Sequence, residues 1–145
     1  MTRALRGACL ALAAGLVMLR PALATPGGCY VNVRDFGARG DGTGNDTAPI
    51  QAAIDSASTS PLACGTVYIP SGTYLIRGDT LGTRKGILLR SNLTLEMAPG
   101  AVLQVLPTNV TYAILRADSV DNVVIRGGTL VGDRYQHAAL GGSRL

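Results

Sequence analysis

Apolar and polar positions along this chain change rhythm four times. Residues 8–19, ACLALAAGLVML, form an unbroken apolar run. YVNVRDFG (30–37) then sets Tyr30, Asn32 and Arg34 against Val31, Val33 and Asp35, the period-two alternation of a short, half-buried strand. ARGDGTGN (38–45) follows as a polar, glycine-rich loop. Next, Ile50, Ala53, Ile54 and Ala57 fall at i, i+3, i+4 and i+7, one narrow apolar stripe on a helix. Asp46 or Thr47 is placed to cap that helix, its side-chain oxygen accepting first-turn N–H groups that have no intrahelical partner. Pro49 is tolerated in the first turn for the same reason. SASTSPLACG (56–65) ends the helix.

From Gly65 onward the chain is strand and turn. GTVYIPSGTYLI (65–76) is strand, Pro-Ser-Gly turn, strand. GILLRSNLTLEMAPGAVLQV (86–105) alternates and is broken at Ser91-Asn92 and Pro99-Gly100, and YAILRADSVDNVVIRGGTLVG (112–132) repeats the scheme. Asn92-Leu-Thr-Leu and Asn122-Val-Val-Ile align 30 residues apart, each followed by glycine and a further short strand. Such a unit cannot bury its own apolar face, whereas units stacked on one another bury a continuous interior. Asparagine there tolerates a left-handed turn and is able to bond the neighbouring unit. Ordinary hairpin turns of a β-sandwich would use asparagine too, so the pattern alone leaves both architectures open.

Composition narrows the class. The 145 residues are 47% hydrophobic and 15% charged, which makes the chain globular rather than disordered. Nineteen glycines, one Phe and no Trp favour many short strands over a helical bundle. Arg3 and Arg6 before the apolar run, and Ala22-Leu23-Ala24 after it, make residues 1–24 a secretory signal peptide and 25–145 the mature domain. Twelve apolar residues are too few for a membrane anchor, which needs about 20. Removing the leader takes Arg3, Arg6 and Arg20, so the net charge of +4 falls to +1. No basic cluster remains, and neither nucleic acid nor membrane is expected as a partner of the mature chain. Cys29 and Cys64 are then an even pair in an oxidising, secreted or periplasmic compartment. A bridge between them would close a 35-residue loop and contribute about 4 kcal/mol by loop entropy. Two buried, inert thiols are the alternative.

Three stretches, DFGARGDG, NDTAPIQAAID and GTVYIPSGTY, together resemble the N-terminal segment of the pectate lyase superfamily, over about Tyr30 to Gly132. That superfamily includes the rhamnogalacturonase/epimerase-like and glycoside hydrolase family 28-related β-helix proteins and some phage tailspikes. The resemblance implies an all-β fold, a single-stranded right-handed parallel β-helix of the pectin-lyase kind, with an N-terminal capping α-helix. It implies that Asp46, Thr47, Ile50 and Ile54 belong to that cap, which covers the first turn of the solenoid and its bare strand edges. It further implies an exported, carbohydrate-active protein whose partner is an acidic polysaccharide, acted on by lyase or glycosidase chemistry.

Catalytic residues do not carry over. The paired carboxylates of such hydrolases, and the basic residue of such lyases, lie downstream of the matched region, and no motif of the family 28 kind is present. No cofactor is expected, Ca²⁺ being implied only if the full-length protein is a lyase. Asp41, Asn45 and Asp46 could be weighed as a Ca²⁺ loop, but they lack the EF-hand order and distal Glu, so no metal site is expected. Asp118 and Asp121 read as solvated turn residues. Asp133, Arg134 and His137 in GDRYQH are the candidate substrate-binding set, Arg134 having the fork that pairs with a sugar carboxylate, while a loop ion pair is the plainer reading. Because family chains run on for more coils, the chain is expected to be a fragment, with an uncovered edge open to edge-to-edge self-association. A non-enzymatic glycan-binding or surface-attachment module is the other function class.

Overall fold

The computed structural model describes residues 29–59, 64–78, 86–107 and 112–133; the leader lies outside them. These residues are mostly strand, with one α-helix. In order they form β1 (Val31–Asn32), a 3-10 helix (Val33–Phe36), β2 (Asp41–Asn45), α1 (Thr47–Thr59), β3 (Thr66–Ile69), β4 (Gly72–Ile76), β5 (Ile87–Leu88), β6 (Leu93–Val105), β7 (Leu115–Arg116) and β8 (Val123–Val131). Every strand pairing is parallel.

The pairings sort into three ladders that the chain visits in turn. The first joins β1, β3 and the leading halves of β6 and β8, with Val31, Val67, Leu95 and Ile125 in one row. The second joins β2, β4 and the trailing halves of β6 and β8, with Thr73, Val102 and Thr129 in one row. The third joins β5 to β7, Ile87 lying beside Leu115. β6 crosses from the first ladder to the second without ending, so Pro99-Gly100, expected as a break, is a bend inside one long strand. Each row sits 28 to 30 residues beyond the last from Val67 to Leu95 to Ile125, which is the loose repeat read from the sequence.

Alternation fills the inside. Val67, Ile69, Tyr74, Ile76, Leu93, Leu95 and Leu103 are fully or almost fully buried, and the residues between them are more exposed except in β4, where Leu75 is buried as well. Tyr74 is buried despite its hydroxyl because that group donates to the Pro70 carbonyl (3.0 Å). The repeated asparagines do what the sequence suggested. Asn92 and Asn122 have φ of 57° and 55°, and Asn122 Nδ2 donates to Asn92 Oδ1 (3.0 Å), one unit to the next.

Helix α1 buries Ile50, Ala53, Ile54 and Ala57 completely or nearly so, the stripe that its periodicity predicts. Burying each isoleucine stabilises by about 1.5–3 kcal/mol. Gln51 is buried as well, and its amide acts as a strand partner: Oε1 accepts from the Leu88 N–H (2.8 Å) and Nε2 donates to the Leu88 carbonyl (3.1 Å). The helix thereby satisfies the edge of β5 that β7 does not. Outside it, Arg90 pairs with Asp55 at 2.7 Å in an exposed ion pair. Cys29 and Cys64 are joined by a disulfide, Cα atoms 5.1 Å apart, fastening the start of β1 to the start of β3.

Two expectations need correction. The first strand stops at Asn32, not Gly37, because Asn32 Oδ1 accepts from the Arg34 N–H (3.0 Å) and starts a 3-10 turn that Gly37 closes at φ 94°. The segment expected as loop contains β2, a strand of Asp, Gly, Thr and Asn that β-propensity opposes; its backbone bonds to β4 hold it extended. At the far side, among the described residues, β8 pairs with β6 alone, and Val124, Ile125, Leu130 and Val131 are 38–49% exposed.

Candidate functional site

The acidic loop between the first strand and α1 is built as a clasp. Asp41 Oδ1 accepts from the Thr43 N–H (2.9 Å), the Thr43 hydroxyl (2.8 Å) and the Gly44 N–H (3.3 Å). These bonds, the Thr43 backbone N–H foremost, hold its carboxyl below the ordinary aspartate value. Asp46 stands at the helix N-cap by backbone, its carbonyl accepting from the Ile50 N–H (3.1 Å). Its side chain turns the other way: Oδ1 accepts from the Arg39 N–H (2.8 Å) and Oδ2 from the Gly40 N–H (3.3 Å). The cap role assigned to the Asp46 carboxylate is therefore corrected to loop closure. Asn45 Oδ1 instead accepts from the Thr47 N–H (3.1 Å) and hydroxyl (2.7 Å), and the Thr47 oxygen accepts from the Arg77 N–H (2.8 Å) at the end of β4.

In this loop Asp41 Oδ1 and both Asp46 carboxylate oxygens are turned onto N–H donors. Among the described residues, no three or more His, Cys, Asp and Glu side chains are grouped to hold a metal.

Asp118 accepts from Arg116 Nε at 2.7 Å with both side chains 44–47% exposed, a solvated pair. Asp121 contributes through its backbone, donating to Ser91 Oγ (3.2 Å) and accepting from the Asn92 N–H (2.9 Å). Asp133 follows β8 directly, half-buried, while Arg134 and His137 lie outside the described residues.

One surface escaped the sequence reading. Register puts Asn32, Tyr68, Glu96 and Arg126 in one outward row of the first ladder. The Tyr30 and Tyr68 rings meet edge to face, centroids 5.6 Å apart. Arg126 reaches Glu96 at 3.4 Å. The signal was present: TVYI, LTLEM and VVIRG align when their buried residues are superimposed, but only register shows which polar positions share a row.

Comparison with known proteins places this arrangement. Residues 30–101 match the family model described as rhamnogalacturonase A/epimerase, pectate lyase-like. Those residues belong to the pectate lyase-like family. The chain is 47% identical over 62 residues to alginate lyase 7 of Azotobacter vinelandii, covering 43% of this chain and 7% of that protein. Its structure resembles the A-module of the mannuronan C-5 epimerase AlgE4 of the same organism, with a TM-score of 0.65 and 32% identity over 76% of this chain and 30% of that one. It also resembles the Streptococcus pneumoniae surface protein and adhesin PfbA, with a TM-score of 0.57 and 28% identity over 70% of this chain and 26% of that one. The chain thus spans less than a third of each of these proteins. Among the described residues no helix is long and apolar enough to cross a membrane.

Proposed function

We propose that this chain forms the N-terminal part of an exported right-handed parallel β-helix protein that acts on acidic polysaccharide by lyase or glycosidase chemistry, or by epimerisation. In this reading α1 is the lid of the solenoid, β1 to β8 are its first coils, and the reacting groups lie on coils beyond those described. The observation that carries the reading is the set of three parallel ladders visited in turn, in a chain 47% identical over 62 residues to alginate lyase 7 and 32% identical over 76% of its length to the AlgE4 A-module. Export is supported by the leader pattern of residues 1–24 and by the Cys29–Cys64 disulfide. Ca²⁺ enters only if the chemistry is elimination.

A single experiment separates the reaction classes. The protein secreted by its native host is incubated with polymannuronate and with polygalacturonate, and the products are followed by proton NMR. Elimination creates unsaturated ends, hydrolysis creates saturated reducing ends, and epimerisation changes uronate composition at constant chain length. Any of these supports the enzymatic reading. Binding without turnover supports the second reading, a glycan-binding or surface-attachment module, which the likeness to an adhesin favours. Neither binding nor turnover contradicts both.

A further inference from the structure

We propose that the Cys29–Cys64 bridge is a redox latch on the N-terminal segment, residues 29–59. Closed, it holds β1 and α1 on the stack; reduced, it lets that segment open while the ladders from β3 onward stay folded. The proposal deepens the export reading above, because such a latch closes only in a compartment where disulfides persist.

The bridge encloses one unit of the fold. Between its two cysteines, 35 residues apart in sequence, lie β1, the 3-10 helix, β2 and α1, and β3 begins two residues after Cys64. The backbone ties this unit to the rest sparsely. β1 meets β3 only along Val31–Asn32, and β2 meets β4 at Asp41 and Asn45 with a shift of register between them. By contrast, β3 and β4 pair with β6 along their full lengths, Thr66–Ile69 and Gly72–Ile76. Side chains add the bond from the Arg77 N–H to Thr47, the Gln51 bonds to Leu88 and the exposed Asp55–Arg90 pair. A segment with so few bonds at its boundary is the kind that opens on its own. What opposes opening is the stripe of Ile50, Ala53, Ile54 and Ala57, which would return to water.

The bridge adds closure. Cys29 stands two residues before β1 and Cys64 two before β3, with Cα atoms 5.1 Å apart, about one strand spacing. In an opened but bridged chain, β1 therefore stays beside its partner and the segment closes again readily. Cutting the bridge removes that constraint, and the loop-entropy scale for 35 residues corresponds to about 10²–10³-fold more opening. Cys29 is exposed and Cys64 half-buried, so a small thiol reaches the bridge without prior unfolding. Its thiolate attacks the Cys29 sulfur, and Cys64 leaves as a thiolate. A second thiol then releases Cys29 from the mixed disulfide, so both cysteines end reduced and the two thiols end joined to each other.

The test is native-state amide exchange, read by mass spectrometry, on the full chain oxidised, reduced with dithiothreitol and reoxidised. Exchange in residues 47–59 is expected to speed about a hundredfold or more on reduction and to slow again on reoxidation, while residues 93–105 change by less than about threefold. The double variant Cys29→Ser, Cys64→Ser should match the reduced chain; if it does not fold, the reduced wild type carries the test. Equal exchange in 47–59 with and without the bridge would overturn the latch. An equal rise in 47–59 and 93–105 would overturn it too, since the bridge would then stabilise the molecule as a whole. The export reading is judged separately, by whether the secreted chain begins after residue 24.

Discussion

Gly40 and Gly72 meet backbone to backbone, the Gly40 carbonyl accepting from the Thr73 N–H at 2.9 Å. Gly72 has φ of 151°, and a Cβ there would run into the Gly40 carbonyl oxygen, which is fixed main chain. Gly72→Ala is expected to cost about 1–3 kcal/mol, measured as a lower urea midpoint. Asn122 separates two effects in the same way. Asn122→Ala loses both the bond to Asn92 and the tolerance of φ 55°, whereas Asn122→Gly keeps the backbone angle. Urea denaturation should rank wild type above Asn122→Gly, and Asn122→Gly above Asn122→Ala by about 1 kcal/mol. Asp41 gives a pH dependence. Its folded value lies below the ordinary 3.8, so its contribution is present above pH 3.8 and is lost as pH falls through the lower folded value. A carboxyl-carbon NMR titration should place its midpoint below 3.8, and a midpoint at or above 3.8 would contradict the Thr43 and Gly44 bonds.

Helix α1 shows what sequence makes legible and what it does not. Ile50, Ala53, Ile54 and Ala57 recur at helical period, so the buried stripe could be read directly. Gln51 could not, since nothing in the pattern distinguishes a glutamine that closes a strand edge from one in water. Its partner, Leu88, is 37 residues away. Asp46 was found as a helix-start residue, but the direction of its carboxylate depends on a loop whose path is set by glycines. β2 was missed for the same reason: its residues disfavour strands, and only β4 makes them one. Two variants test the helix. Ile54→Ala is expected to cost about 2–5 kcal/mol by leaving a cavity. Gln51→Leu is expected to cost about 1–3 kcal/mol, because it strands the Leu88 N–H and carbonyl. A Gln51→Leu chain as stable as wild type would show that the Leu88 groups find other partners.

At the scale of the molecule, stability comes from stacking. Each pass around the three ladders leaves one row of interior side chains for the next pass to cover, as Leu95 covers Val67 and Leu103 covers Tyr74. The apolar runs, the Asn92 and Asn122 repeat and the family motifs made this stack legible, although sequence alone left a sandwich of hairpins open. The difference between the two lies in strand direction, which no single strand's pattern encodes. Cross-strand NOEs in an isotope-labelled sample test it most directly. Parallel stacking predicts contacts from Val67 to Leu95, from Leu95 to Ile125 and from Val102 to Thr129. Antiparallel contacts between residues flanking Pro70-Ser71 or Asp121-Asn122, as hairpins would give, would contradict it.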